Sequence, residues 1–169
     1  MKTATLTITS LLVLGSLNWL IVAKEQVLRS GRTVLCELAP RDPRSIMQGD
    51  YMVLRYSIAE AAAPHIPEST YAGYLVLKLN QNDVAEFKRI DDGTALAANE
   101  VRIRFRRACQ SFRRGMIWIG AESYFFQEGQ ADEFDNARYG ELKVAPDGES
   151  ILVGLRSAEL DPLPHPRTD

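Results

Sequence analysis

Histidine and cysteine are scarce in this chain, which has two of each among its 169 residues. The histidines are His65 and His165, and the second lies in a proline-rich tail. Metal centres and Ser-His-Asp triads depend on such side chains, so the sequence offers little material for either. We therefore expect no metal ion and no cofactor.

The cysteines, Cys36 and Cys109, stand far apart and match no zinc or redox motif. They are able to form one disulfide in an oxidising compartment, or to stay as buried apolar thiols. The sequence leaves both alternatives open.

An excess of positive charge is also missing, because the formal net charge is -2 and the pI is about 5.8. Dedicated nucleic-acid binders usually carry a strongly basic domain, so no nucleic-acid partner is predicted. Hydrophobic residues make up 46% of the chain, which favours one folded domain with an appendage.

The appendage is an N-terminal run without charge, from Thr3 to Ala23, between Lys2 and Lys24. As a helix it would be about 30 Å long, which is the hydrocarbon thickness of a bilayer. The run therefore predicts a membrane anchor over residues 1–24. A cleaved signal peptide is the alternative, although Ile21-Val22-Ala23 is a poor small-x-small cleavage site.

The orientation of this anchor is not decided by its flanking charges, since Lys2 lies on one side and Lys24, Arg29 and Arg32 lie on the other. A short N-terminal tail with a single lysine commonly stays in the cytoplasm. We therefore expect a single-pass protein whose domain is periplasmic.

Beyond the anchor, the apolar pattern has mainly a period of two, which is typical of β-strands. The predicted strands cover residues 31–39, 50–58, 71–79, 84–90, 100–108, 115–127 (as one strand or two) and the two halves of 139–157. Residues 61–69 are predicted as a proline-bearing loop. The only soluble helix is predicted over 129–140, where Ala131, Phe134 and Ala137 share a face and Gly140 would end it.

The predicted fold class is thus mainly β, a β-rich α+β arrangement. We expect a single antiparallel β domain of about seven or eight strands with one short helix, over residues 25–157. The last segment, 158–169, is rich in proline and is expected to be extended or disordered.

One predicted strand carries a distinctive motif. Gly49, Asp50, Tyr51, Leu54 and Tyr56 spell G-D-Y-x-x-L-x-Y. The chain resembles the bacterial family of membrane-anchored proteins named after this pattern, the GDYXXLXY family. "PRDPRSIMQGDYMVLRY", "SYFFQEGQADEFDNARYGELKV" and "ILVGLR" resemble family segments as well.

The resemblance implies one N-terminal membrane helix and a location in the bacterial inner membrane. It also implies a partner, since family members resemble small products encoded beside multi-pass membrane proteins. It supplies no reaction, substrate or catalytic residue.

The motif also has a direct physical interpretation. Gly49-Asp50 suits a tight turn at a strand entrance, because glycine adopts positive φ and the aspartate accepts backbone hydrogen bonds. In an extended strand Met52, Leu54, Tyr56 and Ile58 would face the core, and Tyr51, Val53, Arg55 and Ser57 would face outward. The motif is then a structural element, an edge for a partner or ligand, or a catalytic segment.

An enzymatic hypothesis rests on Ser45, Met47 and Lys88, which loosely resemble the Ser/Lys arrangement of membrane-bound signal peptidases. The serine and methionine are not adjacent here. Asp91 and Asp92 next to the lysine would also keep it charged.

Arginine alternates along the predicted strand 100–108, which places Arg102, Arg104 and Arg106 on its outer face. With Arg107, Arg113 and Arg114 they would grip anionic lipid headgroups, a polyanion or an acidic protein surface. Alternatively they form a solvated face, balanced by Glu128, Asp132, Glu133 and Asp135. Trp118, Tyr124, Phe125 and Phe126 are predicted as core, with an aromatic groove as the alternative.

Two functions follow. The first is a non-catalytic interaction or accessory module that docks on an integral membrane partner through the motif strand and the arginines. The second is a membrane-bound hydrolase or small-ligand site that uses Asp50, Ser45 or Lys88.

Overall fold

The computed structural model describes residues 2–39, 51–108, 116–120, 122–125 and 131–164. Two α-helices are present in these ranges, α1 (Lys2–Ser30) and α2 (Ser57–Ala62). The strands are β1 (Arg32–Glu37), β2 (Tyr51–Val53), β3 (Ala72–Leu79), β4 (Ala85–Ile90), β5 (Glu100–Arg107), β6 (Ile117–Trp118), β7 (Ser123–Phe125), β8 (Tyr139–Val144) and β9 (Ser150–Arg156). Short 3-10 turns cover Ala63–His65 and Ala131–Phe134.

The strands form three antiparallel sheets with the orders β1-β8-β9, β4-β3-β5-β6 and β2-β7. Isolated bridges connect them, since Leu35 pairs with Val84 and Leu38 pairs with Tyr56. One hydrophobic core receives side chains from all three sheets. Its largest fully buried members include Tyr56, Phe105 and Phe134. The predicted β-rich antiparallel fold is confirmed.

Helix α1 contains the apolar run. Within the described residues it is the one helix long and apolar enough to cross a membrane, and its most apolar 18-residue window within Leu6–Ser30 has a mean hydropathy of 1.9. Its apolar window is not buried against the domain. Only its last turns contact the domain, where Val27 is buried and Lys24 pairs with Glu149 beside β9.

Most predicted strands are confirmed, including the hairpin of β3 and β4 and the hairpin of β8 and β9. The described part of residues 115–127 contains two strands, β6 and β7, which is one of the two predicted alternatives. The turn between β8 and β9 has the predicted chemistry, because Gly148 takes a φ of +85° and Asp147 accepts a hydrogen bond from the Glu149 amide at 3.0 Å.

The predicted strand over 50–58 is wrong in its second half, because β2 ends at Val53 and α2 begins at Ser57. The predicted loop over 61–69 likewise contains the end of α2 and a 3-10 turn. Ile58, Ala59 and Ala62 share the buried face of α2, a spacing that a helix provides. Pro64 is tolerated because it stands at the start of the next turn.

The predicted helix over 129–140 is also wrong where the structure describes it. Ala131–Phe134 is a 3-10 turn, and Gly140 lies inside β8 rather than at a helix end. Tyr139 and Gly140 pair with β1 instead, so at the end of the predicted helix long-range pairing overrides local propensity. Phe134 is nevertheless fully buried.

Candidate functional site

The motif segment changes hydrogen-bonding partners along its length. Its first part, β2, pairs with β7, and the Leu54 amide extends this pairing to the Glu122 carbonyl at 2.8 Å. The Arg55 carbonyl then accepts a bond from the Ala39 amide at 2.8 Å, and Tyr56 bridges to Leu38. The motif therefore joins the small β2-β7 sheet to the sheet of β1. Gly49 and Asp50 lie outside the described residues, and Tyr51 is described only through its main chain.

The predicted inward face of the motif is confirmed even though the strand is short. Met52, Leu54, Tyr56 and Ile58 are all buried, and Arg55 is exposed. Leu54 and Tyr56, the motif residues with described side chains, are only 2% exposed. Both are therefore part of the hydrophobic core.

Tyr56 packs directly on the main chain of β8. A Cβ atom at Gly140 would lie 3.0 Å from Cε1 of Tyr56 and 3.2 Å from its hydroxyl oxygen. Burial, with smaller effects of Cys36 and Glu122, raises the pKa of the Tyr56 phenol well above its ordinary value. The phenol thus stays protonated, and its ring would have to shift by a few tenths of an ångström to admit a side chain at position 140.

An apolar cavity of about 300 Å³ lies beside the motif. We call it the motif cavity. Its walls come from the motif, from α2 and from the segment around β6. They are formed by Val53, Leu54, Arg55, Tyr56, Ala59, Glu60, Ala63, Met116, Ile117, Trp118 and Glu122. The α2 wall was missed because the motif strand was predicted to continue to residue 58, although Ser-Ile-Ala-Glu-Ala-Ala is a run of helix formers.

The predicted aromatic core is correct only in part. Tyr124 is buried and packs edge-on against Phe134, with ring centroids 5.3 Å apart. Phe125 is 68% exposed, so its prediction as core is wrong. Trp118 is half-buried and lines the motif cavity. Phe126 lies outside the described residues.

Lys88 is held in a structural contact. Its ammonium forms an ion pair with the carboxylate of Glu100, which is buried, and Glu100 also accepts a bond from the Ala97 amide at 3.1 Å. The bond from Lys88 and, to a smaller extent, the bond from Ala97 lower the pKa of Glu100. A general base needs a lysine without such a partner. Ser45 and Met47 lie outside the described residues.

The three arginines on the outer side of β5 differ in their surroundings. Nε of Arg102 lies 2.6 Å from Oδ2 of Asp91, an ion pair without hydrogen-bond alignment, and its guanidinium stacks 5.5 Å from the ring centroid of Tyr74. Arg104 and Arg106 are exposed. The predicted row is therefore one internally paired arginine followed by two that face solvent.

The other predicted basic residues do not extend this row. The Arg107 guanidinium donates to the carbonyls of Thr70, Ile66 and Pro67 at 3.0 to 3.1 Å, so it fixes a loop. Arg113, Arg114 and Glu128 lie outside the described residues, and the side chain of Asp132 is not described. Glu133 and Asp135 are exposed.

A second cavity, of about 240 Å³, lies where α1 meets the domain. We call it the junction cavity. It is lined by Lys24, Arg104, Arg106, Trp118, Ile119, Gly120, Glu122, Glu149 and Ser150. Trp118 and Glu122 line both cavities, so the motif cavity and the junction cavity adjoin.

Cys36 lies in the core strand β1 with a free, fully buried thiol. Burial raises the pKa of this thiol to about 12, which keeps it in the unreactive protonated form. Cys109 lies outside the described residues. Among the residues that the structure describes, no three His, Cys, Asp or Glu side chains cluster as a metal site.

Comparison with known families gives one match. The family model described as GDYXXLXY protein matches residues 13–155, from within α1 to the last residues of β9. The chain belongs to the GDYXXLXY family. No curated protein and no solved structure gives a significant match. In this GDYXXLXY protein the family motif therefore supplies core residues and one wall of a cavity.

Proposed function

We propose that this GDYXXLXY protein is a non-catalytic accessory module, anchored in the bacterial inner membrane, that docks on an integral membrane protein. The second half of the motif and the first turns of α2 form the docking site. An apolar side chain of the partner fills the motif cavity.

The observation that carries this proposal is the place of the motif cavity. Its walls are mainly apolar, and it adjoins the junction cavity at the end of the apolar helix α1. A segment that emerges from the membrane next to α1 is thus within reach. Apolar pockets that accept one anchoring side chain are typical centres of protein interfaces.

Three reactive side chains that the structure describes favour a non-catalytic role, whereas Ser45 and Asp50 lie outside the described residues. Lys88 is paired with Glu100, and the Cys36 thiol and the Tyr56 phenol are buried and protonated. Lys88 thus has an ion-pair partner, and the other two side chains are part of the core.

The exposed apolar surface of α1 supports the anchor. Leu12, Trp19 and Leu20 are each at least 58% exposed, and nothing within the described domain covers them. A bilayer would cover this surface, and we place the domain on its periplasmic side. A C-terminal fusion to a reporter enzyme that is active only in the periplasm tests this orientation, and an inactive fusion at normal abundance would overturn it.

The docking site is tested by filling the motif cavity. Ala63 directly follows α2, lines the cavity and is half-buried, whereas Ala61 lies on the exposed face of α2. We would purify tagged full-length protein, Ala63→Phe and Ala61→Phe in mild detergent from native membranes and quantify co-purified proteins by mass spectrometry. We expect a stoichiometric multi-pass protein that falls about tenfold with Ala63→Phe, about 1.4 kcal/mol, and is unchanged with Ala61→Phe.

A second variant covers the case in which Ala63→Phe disturbs folding. Glu60→Arg changes an exposed residue at the rim of the motif cavity and leaves the core intact. A companion that survives both variants, or full-length protein that purifies alone, would overturn the proposed docking site.

A further inference from the structure

The junction cavity combines positive charge with one aromatic ring. Arg104 and Arg106 lie two positions apart on the outer side of β5, and Trp118 of β6 is the strand partner directly opposite Arg106. Opposite residues in an antiparallel pair point to the same face of a sheet. Lys24 of α1 completes the lining. These three cations and the indole therefore face one space.

The two carboxylates in this cavity are engaged by other groups. Glu149 forms an ion pair with Lys24. Glu122 accepts hydrogen bonds from the Ile119 and Gly120 amides, the second at 3.0 Å. Among the described residues, no carboxylate forms an ion pair with Arg104 or Arg106. Both guanidiniums thus retain the forked donors that bind phosphate oxygens in pairs.

The main chain behind these arginines is held firmly. The Arg104 amide donates to the Gly148 carbonyl at 2.8 Å, which ties β5 to the turn between β8 and β9. A Cβ atom at Gly148 would lie 3.2 Å from the main-chain nitrogen of Arg104. The site lies next to α1, since Lys24 contacts Glu149 of this turn.

The site also has a defined depth relative to a bilayer. Lys24 is the first charged residue after the uncharged run Thr3–Ala23. If α1 crosses the membrane, as proposed above, Lys24 lies at the level of the headgroups, and so does the cavity that it lines. Tryptophan is enriched at this level because its ring is partly apolar and partly polar.

We propose that the junction cavity binds the phosphate of an anionic phospholipid, with Arg104 and Arg106 on the phosphate oxygens and Trp118 against the glycerol backbone. This inference depends on the proposed membrane crossing of α1. A lipid fits better than free phosphate because the cavity lies beside the bilayer surface and contains an indole.

Native mass spectrometry of the full-length protein in detergent tests this. Phosphatidylglycerol or phosphatidylcholine would be titrated in, and the fraction with one bound lipid measured. We expect a preference for phosphatidylglycerol that falls about tenfold in Arg104→Gln/Arg106→Gln. The matched control, Lys78→Gln/Arg138→Gln, removes two exposed charges and should keep the preference.

The control residues lie far from the junction cavity. Lys78 is opposite Glu100, whereas Ala72 is opposite Arg106, so Lys78 lies about 20 Å along the sheet from Arg106. Arg138 directly precedes β8, at the opposite end of that strand from the turn that contacts Lys24.

Three results would overturn the lipid site. The first is equal binding of the two lipids, and the second is equal loss in both double variants. The third is displacement of phosphatidylglycerol by millimolar inorganic phosphate, which would indicate a site for the free anion.

The lipid site and the docking function fail in different ways. Loss of phosphatidylglycerol with an unchanged protein companion supports the lipid site alone. Loss of the companion in Arg104→Gln/Arg106→Gln with unchanged lipid binding would make these arginines a protein contact. Release of the wild-type protein by an alkaline carbonate wash of the membranes would instead overturn the membrane crossing itself.

Discussion

The motif segment and the arginine row of β5 look alike in the sequence but differ in burial in the folded protein. Both are short alternating stretches with side chains that often serve in binding. In the motif, Leu54 and Tyr56 are buried in the core. In the row, Arg102 pairs with Asp91 while Arg104 and Arg106 remain exposed.

The difference comes from what the neighbouring elements place opposite each side chain. Tyr56 meets a glycine in β8, which leaves space for its ring. Arg102 meets Asp91, which lies at the end of β4 and whose main-chain amide donates a hydrogen bond to the Tyr74 carbonyl at 2.9 Å. Arg104 and Arg106 meet the end of α1, where the carboxylates are already engaged. A charged or aromatic side chain is therefore available for binding only where no neighbouring residue already pairs with it or buries it.

The largest effect on stability should come from the motif. Tyr56→Ala removes a fully buried aromatic ring and should lower the free energy of unfolding by about 3–5 kcal/mol. The matched change Tyr71→Ala affects a ring that is 68% exposed and should stay within about 0.5 kcal/mol. Urea unfolding of the full-length protein in detergent, followed by tryptophan fluorescence, measures both. Similar costs for the two variants would break the contrast between core and surface.

Substitution of Arg102 should have the second-largest effect on the free energy of unfolding. Arg102→Gln removes the nearest cation of Asp91, whose side chain is 7% exposed and keeps Arg89 at 3.8 Å and the Gly93 amide at 3.0 Å. The change should cost about 1–3 kcal/mol. The same unfolding experiment on Asp91→Asn and on the double variant gives the coupling between the partners. A double variant as costly as the sum of the single changes would show that the pair does not act together.

The paired end of β5 should also respond to acid. The pKa of Glu100 is lower in the folded state, so its stabilising effect is complete above its ordinary pKa and is lost as the pH falls through the lowered value. Melting temperatures between pH 6 and pH 3 should therefore decline less steeply in Glu100→Gln than in the wild type. Parallel curves would contradict a role for this carboxylate in acid sensitivity.

The smallest effect on stability should belong to the exposed arginines. Arg104→Gln/Arg106→Gln breaks no ion pair among the described residues and should change the free energy of unfolding by less than about 0.5 kcal/mol. A loss as large as that of Arg102→Gln would remove the distinction between the two parts of the row. The measurement is again urea unfolding in detergent.

Cys36 illustrates what a local sequence pattern predicts and what it leaves open. The strand predicted over residues 31–39 correctly placed Cys36 in β1, but the sequence left open whether it forms a disulfide. The fold shows that its thiol is free and buried. The apolar run predicted α1, and Pro-Asp-Gly predicted the last hairpin. Residues 58–62 were harder, because Ile58 fits the inward face of a strand as well as that of a helix.

Local sequence was enough to predict the long apolar helix, the antiparallel hairpins and the inward face of the motif, because periodicity and turn chemistry act within a few neighbouring residues. The assembled fold sets the ion pairing of Arg102, the close approach of Tyr56 to position 140 and the places of the two cavities. Each of these depends on residues far apart in the chain, such as Tyr56 with Gly140 or Lys24 with Glu149. Such pairs meet only after the sheets have assembled around one core.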